Sequence, residues 1–286
     1  MADKTKIDWC DASWNPVTGC EHRCPYCYAK GIAERFGKNW LPDENPDTYK
    51  CVLDGTETHA ILELDGLQAR KQKNGKIAPA AYPLGFTPTL HRYKLDEPQR
   101  WTKPRNIFVC SMADLFGAWV PDEWIIEVFK ACQRAPQHRY LFLTKNPARY
   151  ASLKNPADDR YNGLLFAPNC GYGATATSRA QLVQAMEAFY EMPFALYRFL
   201  SIEPICDNLE WLSEAVKRYA GPGPKARPGW VIFGAESGNR KNKVIPQKEW
   251  VDNAVQMCRN IGAAVFMKDS LREIMGGDFI QEYPWS

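Results

Sequence analysis

No apolar run in the 286 residues approaches the roughly 18 needed to span a bilayer, so a helical membrane protein is not expected. The opening residues Met1 to Asp8 are polar and lack the apolar stretch of an export signal, and the expectation is a cytoplasmic protein. An excess of one charge is missing as well. Lys and Arg number 36 against 33 Asp and Glu, and the resulting +3 neither demands nor excludes a nucleic-acid partner. No strand-like run leads into a Gly-x-Gly-x-x-Gly turn, and there is no internal repeat or low-complexity tract. What is present is 45% hydrophobic and 24% charged residues, a globular composition able to bury a sizeable core. Ten cysteines without an export signal point to thiol, metal or redox chemistry, not to a disulfide scaffold.

Short β-rich runs alternate with helical patterns. Residues 107–112 (Ile-Phe-Val-Cys-Ser-Met) read as a buried strand, followed by Pro121 and apolar residues at helical spacing up to Cys132. Strand patterns return at 140–144, 172–176, 198–202, 230–234 and 263–267, with helices near 178–191 and 247–261. Strands alternating with helices of this length imply βαβ units and a parallel sheet. The expected fold is a single α/β domain over residues 1–286, a partial or complete (βα) barrel, with an open doubly wound sheet as the alternative. Asp114, Lys145, Thr175, Thr177, Glu203, Glu236 with Ser237, and Lys268 close successive strands. In a parallel barrel such positions converge on one rim, where active sites of these folds lie. Residues 38–86 break the alternation with Pro, Asp, Asn and Gly clusters, a possible short helix around 59–70 and the basic run Arg70 to Lys76. This segment reads as a lid-like insertion.

The run Gly19-Cys20-Glu-His-Arg-Cys24-Pro-Tyr-Cys27-Tyr28 places three cysteines at C-x3-C-x2-C, between a strand around 14–19 and a helix over 28–36. Thiolates this close on one loop can converge on one metal centre. Three of them on a four-iron cluster leave one iron open to an exogenous ligand. A zinc knuckle completed by His22, Cys10 or Cys51 is the alternative, and would make the chain a nucleic-acid-binding module.

With Tyr26 at the aromatic position before Cys27, the motif resembles that of the radical S-adenosylmethionine (SAM) superfamily. Trp14 to Cys20, Ser111 to Phe116, Leu143 to Lys145, Ser201 to Pro204 and Phe233 to Gly238 together resemble one branch of it. That branch is a phage-associated radical SAM family of mostly unknown function, similar in layout to the spore photoproduct lyase group. The resemblance implies a 4Fe-4S cluster on Cys20, Cys24 and Cys27, SAM chelated to its fourth iron, and an electron donor such as flavodoxin or ferredoxin. It implies that Ser111 and Asp114 receive the SAM amino group, that Lys145 faces the SAM carboxylate, that Thr175 or Thr177 touches SAM through its hydroxyl, and that Tyr26 belongs to the same pocket. Two features depart from the pattern: no Gly-Gly-Glu follows a strand, and the 38–86 insertion is long.

Basic residues interleave with aromatics at 91–94 and 100–105, and others gather at 217–219, 225–227 and 240–243. Such clusters can track phosphates and stack bases. With the phage association, they imply a DNA substrate, a base whose substituent is rearranged or isomerised. Lesion repair, or a small amino-acid or peptide substrate, are the alternatives. Glu203, Glu236 and Lys268 would line the substrate side, where two carboxylates and an ammonium suit a zwitterionic group. Cys110, Cys170 and Cys206, near strand ends, are candidate hydrogen-atom donors.

Overall fold

The structure, a computed structural model, describes residues 5–37, 40–41, 49–53, 60–153, 167–192, 197–213, 227–237 and 241–285. Its frame is one seven-stranded sheet with the strands in chain order. They are β1 (Ala12–Trp14), β2 (Asn106–Val109), β3 (Arg139–Thr144), β4 (Cys170–Thr175), β5 (Tyr197–Ile202), β6 (Trp230–Phe233) and β7 (Ala264–Met267). Every neighbouring pair is parallel. The order starts at β1 and stops at β7, so the sheet is an open, partial barrel. Helices α1 (Tyr28–Phe36), α2 (Asp122–Arg134), α3 (Ala148–Ser152), α4 (Arg179–Glu191) and α5 (Lys248–Asn260) supply the crossovers that parallel pairing requires. Among the described residues no helix is long and apolar enough to cross a membrane.

Successive strand residues point to opposite faces, and both faces are apolar, which explains the unbroken hydrophobic runs. Outward-facing Ile107, Val109, Tyr140, Phe142, Leu200, Val231 and Val265 pack with Trp124, Phe129, Leu182, Met186 and Val251 of the helices. Inward-facing Phe108, Leu141, Phe199, Trp230, Ile232 and Phe266 enclose Trp9. The segment carrying Trp9 spans the gap between β7 and β1. Asp8 accepts the Asp269 N–H at 2.7 Å, while the Asp11 N–H donates to the Asn106 carbonyl at 2.9 Å. At the pole where the strands begin, Tyr283 packs tilted and Trp285 edge-on against Trp230, with centroids 5.9 and 5.2 Å away, and Arg139 lies 4.3 Å from the Trp285 ring. That end of the lumen is plugged by aromatics.

Gly173 on β4 makes this filling possible, because a Cβ there would lie 2.2 Å from the Phe199 ring. Gly173→Ala is expected to cost about 1 kcal/mol through overpacking, read as a lower denaturation midpoint. An unchanged midpoint would show that Phe199 has room to move.

The insertion differs from expectation. Instead of a helix around 59–70 there are strands Ala60–Leu64 and Ala69–Lys71. Ala60–Leu64 pairs in parallel with Thr89–His91 and antiparallel with Tyr49–Leu53, while Val17–Thr18 lies on the far side of Thr89–His91. The ladder partners come from distant segments, and pairing overrides the local helical spacing. Buried Glu63 bolts this sheet to the barrel. It accepts from Arg92 at 2.9 and 2.7 Å and from the Trp124 indole N–H at 2.7 Å. The basic run forms a solvated hairpin, in which Ala69–Lys71 pairs with Ile77–Pro79.

Candidate active site at the strand-exit rim

At the opposite pole the inward positions become polar. Two residues beyond Gly173 stands Thr175, and two beyond Leu143 stands Lys145. Ser201 and then Glu203 follow Phe199, Gly234 follows Ile232, and Lys268 follows Phe266. The strand-end residues thus share one rim, as a parallel barrel requires.

The cysteine loop crosses this rim. Gly19 enters it at φ +87°, and a Cβ there would lie 2.2 Å from the Thr87 carbonyl oxygen, so only glycine fits. The Gly19 N–H donates to the Met112 carbonyl at 2.9 Å and the Cys20 N–H to the Phe86 carbonyl at 3.3 Å. Cys27 ends the loop as the N-cap of α1, its sulfur accepting the Lys30 N–H at 3.4 Å. Cys20, Cys24 and Cys27 are all partly exposed free thiols. Burial pushes Cys20 up to about 12, and the charges of Asp114, Cys24 and Cys27 add to the effect. Burial raises Cys24 as well, and the Lys145 cation opposes the rise. Burial thus disfavours the thiolate forms of Cys20 and Cys24, and a nearby cation such as Lys145 favours that of Cys24.

Among the described residues no three His, Cys, Asp or Glu side chains draw close enough to share a single metal ion. A four-iron cluster receives each thiolate on a separate iron, and three free thiols on one short loop are donors of that type.

Around the loop the rim divides into two sides. On the β3–β4 side the Lys145 ammonium lies 5.4 Å from the Tyr26 ring centroid. The Tyr26 hydroxyl is 3.4 Å from Thr177 Oγ1, and Thr177 donates its N–H and hydroxyl to Gln181 Oε1, both at 2.8 Å. Thr175 is buried at the end of β4. On the β5–β7 side Lys268 pairs with Glu203. Gly234 makes space for the pair, since a Cβ there would stand 3.1 Å from both Glu203 Cγ and Lys268 Cδ. Glu236 is buried beyond β6.

Ser111 and Asp114 are differently placed from the rest. Ser111 Oγ donates to Asn15 Oδ1 at 3.1 Å. Asp114 is 5% exposed, and both of its oxygens are engaged by the protein. Oδ1 accepts the Phe116 N–H at 3.0 Å; Oδ2 accepts the Lys145 N–H at 2.8 Å and faces His22 Nε2 at 2.7 Å. His22, expected only as an alternative zinc ligand, and Tyr28, to which the motif assigns no role, also border the loop. The Tyr28 hydroxyl donates to the Ser111 carbonyl at 2.8 Å, and desolvation, with Glu203 and Cys27 adding, raises its pKa.

Among the described residues the basic–aromatic clusters do not form one surface. His91 is buried, 2.8 Å from Thr18 Oγ1, Arg92 is held by Glu63, and burial lowers the pKa of Lys94. Residues 100–105 lead into β2 and so lie at the pole where strands begin, with Arg105 5.0 Å from the Trp101 ring. Residues 217–219, 225–226 and 240 lie outside the described residues, and Arg227 leads into β6. Lys241 and Lys243, exposed between β6 and α5, are on the rim side. Of the candidate hydrogen donors, Cys170 opens β4 at the far pole and Cys110 is buried in the outer core, while Cys206 follows β5 on the rim side.

The fold and site thus define a partial parallel (βα) barrel with a three-thiol loop over its strand-exit rim. The chain belongs to the family DUF5131, described as a protein of unknown function, whose model matches residues 4–272. No curated protein matches it. Among solved structures, a cysteine-to-serine variant of spore photoproduct lyase is similar at 13% identity and a TM-score of 0.50, over 93% of this chain and 80% of the other. A second spore photoproduct lyase structure, with bound AdoMet and dinucleoside spore photoproduct, is similar at 12% identity and a TM-score of 0.48, over 97% of this chain and 79% of the other. The first likeness establishes the fold.

Proposed function

We propose that this protein is a radical SAM enzyme. The observation that carries the proposal is the loop of Cys20, Cys24 and Cys27, three partly exposed thiols on the rim where a barrel enzyme places its chemistry. The similarity in fold to spore photoproduct lyase supports it. Bound at the rim, a reduced 4Fe-4S cluster and SAM would supply a 5′-deoxyadenosyl radical that abstracts a hydrogen atom from substrate.

The chain's own residues then divide the work. Cys20, Cys24 and Cys27 hold the cluster. Lys145 attracts the SAM carboxylate, and Tyr26, Thr175 and Thr177 wall the same side with a ring and two hydroxyls. Glu203, Lys268 and Glu236 face the substrate. The Glu203–Lys268 pair is satisfied internally, so a substrate enters at no net loss only if it brings both charges and exchanges one ion pair for two. That favours a zwitterionic substituent.

The substrate we infer is a DNA base carrying such a group, rearranged or isomerised by the enzyme, with exposed Lys241 on the rim side to meet phosphates. A free amino acid or peptide is the second reading, favoured by the position of residues 100–105 at the pole where strands begin. Reconstituted protein, reduced anaerobically with SAM, should release 5′-deoxyadenosine, and DNA carrying an amino-acid-modified base should change its yield and be isomerised. No 5′-deoxyadenosine from protein with an intact cluster would overturn the radical reading. A response to amino acids or peptides but not to DNA would overturn the DNA reading.

A further inference from the structure

The Ser111-Met-Ala-Asp114 turn at the exit of β2 touches the cysteine loop at three separate points. Tyr28, just past the last cysteine, donates its hydroxyl to the Ser111 carbonyl at 2.8 Å. Gly19, just before the first, donates its N–H to the Met112 carbonyl at 2.9 Å. His22, between the first two cysteines, is 2.7 Å from Asp114 Oδ2. An ionised carboxylate offers acceptors only, so the His22 nitrogen carries the proton of that bond.

The turn is itself held rigidly. Asn15 Oδ1 accepts from Ser111 Oγ at 3.1 Å and from the Met112 N–H at 3.0 Å. Asp114 is tied to the backbone of Phe116 and of Lys145 at the end of β3. The His22 ring packs edge-on against Trp119 at 4.8 Å, and Trp119 in turn sits over Gly117, where a Cβ would lie 2.3 Å from the indole. Beginning, middle and end of the loop are therefore referenced to the same two strand ends.

We propose that the Ser111–Asp114 turn is a bracket for the cysteine loop, and that Asp114 and His22 are positioning residues for the cluster ligands instead of contacts to SAM. The proposal rests on the radical SAM reading only for the identity of the group held. Three of the roughly four acceptor positions of the Asp114 carboxylate are taken by Phe116, Lys145 and His22, and the side chain is buried, so little of it is presented to an amino group. Outer partners that orient metal ligands typically affect metal retention by about 10–100-fold.

The test compares His22→Ala, His22→Gln and Asp114→Asn with the wild type in two measurements. In reconstituted holoprotein, the rate of iron loss to a chelator is followed under argon beside SAM affinity. In apoprotein, alkylation rates of Cys20, Cys24 and Cys27 are read by mass spectrometry with Cys206 as internal control. Expected are about 10–100-fold faster iron loss in His22→Ala and Asp114→Asn, faster alkylation of the loop cysteines but not of Cys206, and, in His22→Ala, which leaves the Asp114–Lys145 bond in place, SAM affinity close to wild type. His22→Gln, whose amide N–H can still reach Asp114, should restore both rates. Unchanged iron loss with weakened SAM binding in Asp114→Asn would overturn the bracket and return Asp114 to SAM. Wild-type protein that takes up no iron would overturn the radical reading alone, because the alkylation rates still decide whether the bracket holds the loop.

Discussion

Anaerobically reconstituted protein is expected to carry about four iron and four sulfide per chain, and the variant with Cys20, Cys24 and Cys27 all replaced by alanine is expected to carry none. The effect is all-or-none because these thiols are the only cluster ligands the motif supplies, and five of the other cysteines are buried. Cys110, Cys132, Cys170 and Cys258 are buried in the core between sheet and helices. Cys10 is buried near the Trp9 segment, and burial raises its pKa to about 12. None of these can replace a missing ligand without unfolding the barrel. Single replacements should also lose the brown absorbance. Wild-type protein that binds one zinc and no iron, with the same loss on substitution, would reverse the assignment.

The barrel was legible because both faces of its strands are buried. Continuous runs such as 107–112 and 230–234 then mark parallel strands, and helices α2, α4 and α5 carry their apolar residues at helical spacing between them. Helix α1 was legible as the segment leaving Cys27, and it spans Tyr28–Phe36. The insertion was not, because Ala60–Leu64 is a strand only through partners at Tyr49–Leu53 and Thr89–His91. Clustering along the chain also misled where polarity along the barrel axis decides. Arg100 to Arg105 precede a strand and so belong to the closed pole, while residues following strands belong to the open one. The contacts of His22 and Tyr28 were hidden for another reason. Their partners Asp114 and Ser111 are 92 and 83 residues away, and a motif read along one loop shows nothing of the turn that holds it.

Replacing Lys145 with alanine should weaken SAM binding by about 10–100-fold, the equivalent of a charge-assisted bond of about 1.5–3 kcal/mol in a partly buried rim. Lys145 follows the last residue of β3, and its backbone N–H is fixed on Asp114 while its ammonium reaches over Tyr26. The strand and the aspartate set the origin of the side chain, and the ring guides its stem. The ammonium is thereby held close enough to Cys24 to oppose the rise in that thiol's pKa. A carboxylate arriving beside the cluster ligands meets this cation without requiring the chain to reorganise. The cluster itself is untouched by the change, so iron content should equal that of the wild type. Two comparisons separate charge from packing. Lys145→Met keeps the stem over Tyr26 and should lose affinity as Lys145→Ala does, whereas Lys145→Arg should retain most of it. Decarboxylated SAM, which lacks the group Lys145 would attract, should bind the wild type and Lys145→Ala with similar affinity, both measured by calorimetry under argon. An equal loss for SAM and its decarboxylated analogue would mean that Lys145 supports the Tyr26 wall by packing alone, and the carboxylate contact would have to be sought elsewhere on the rim.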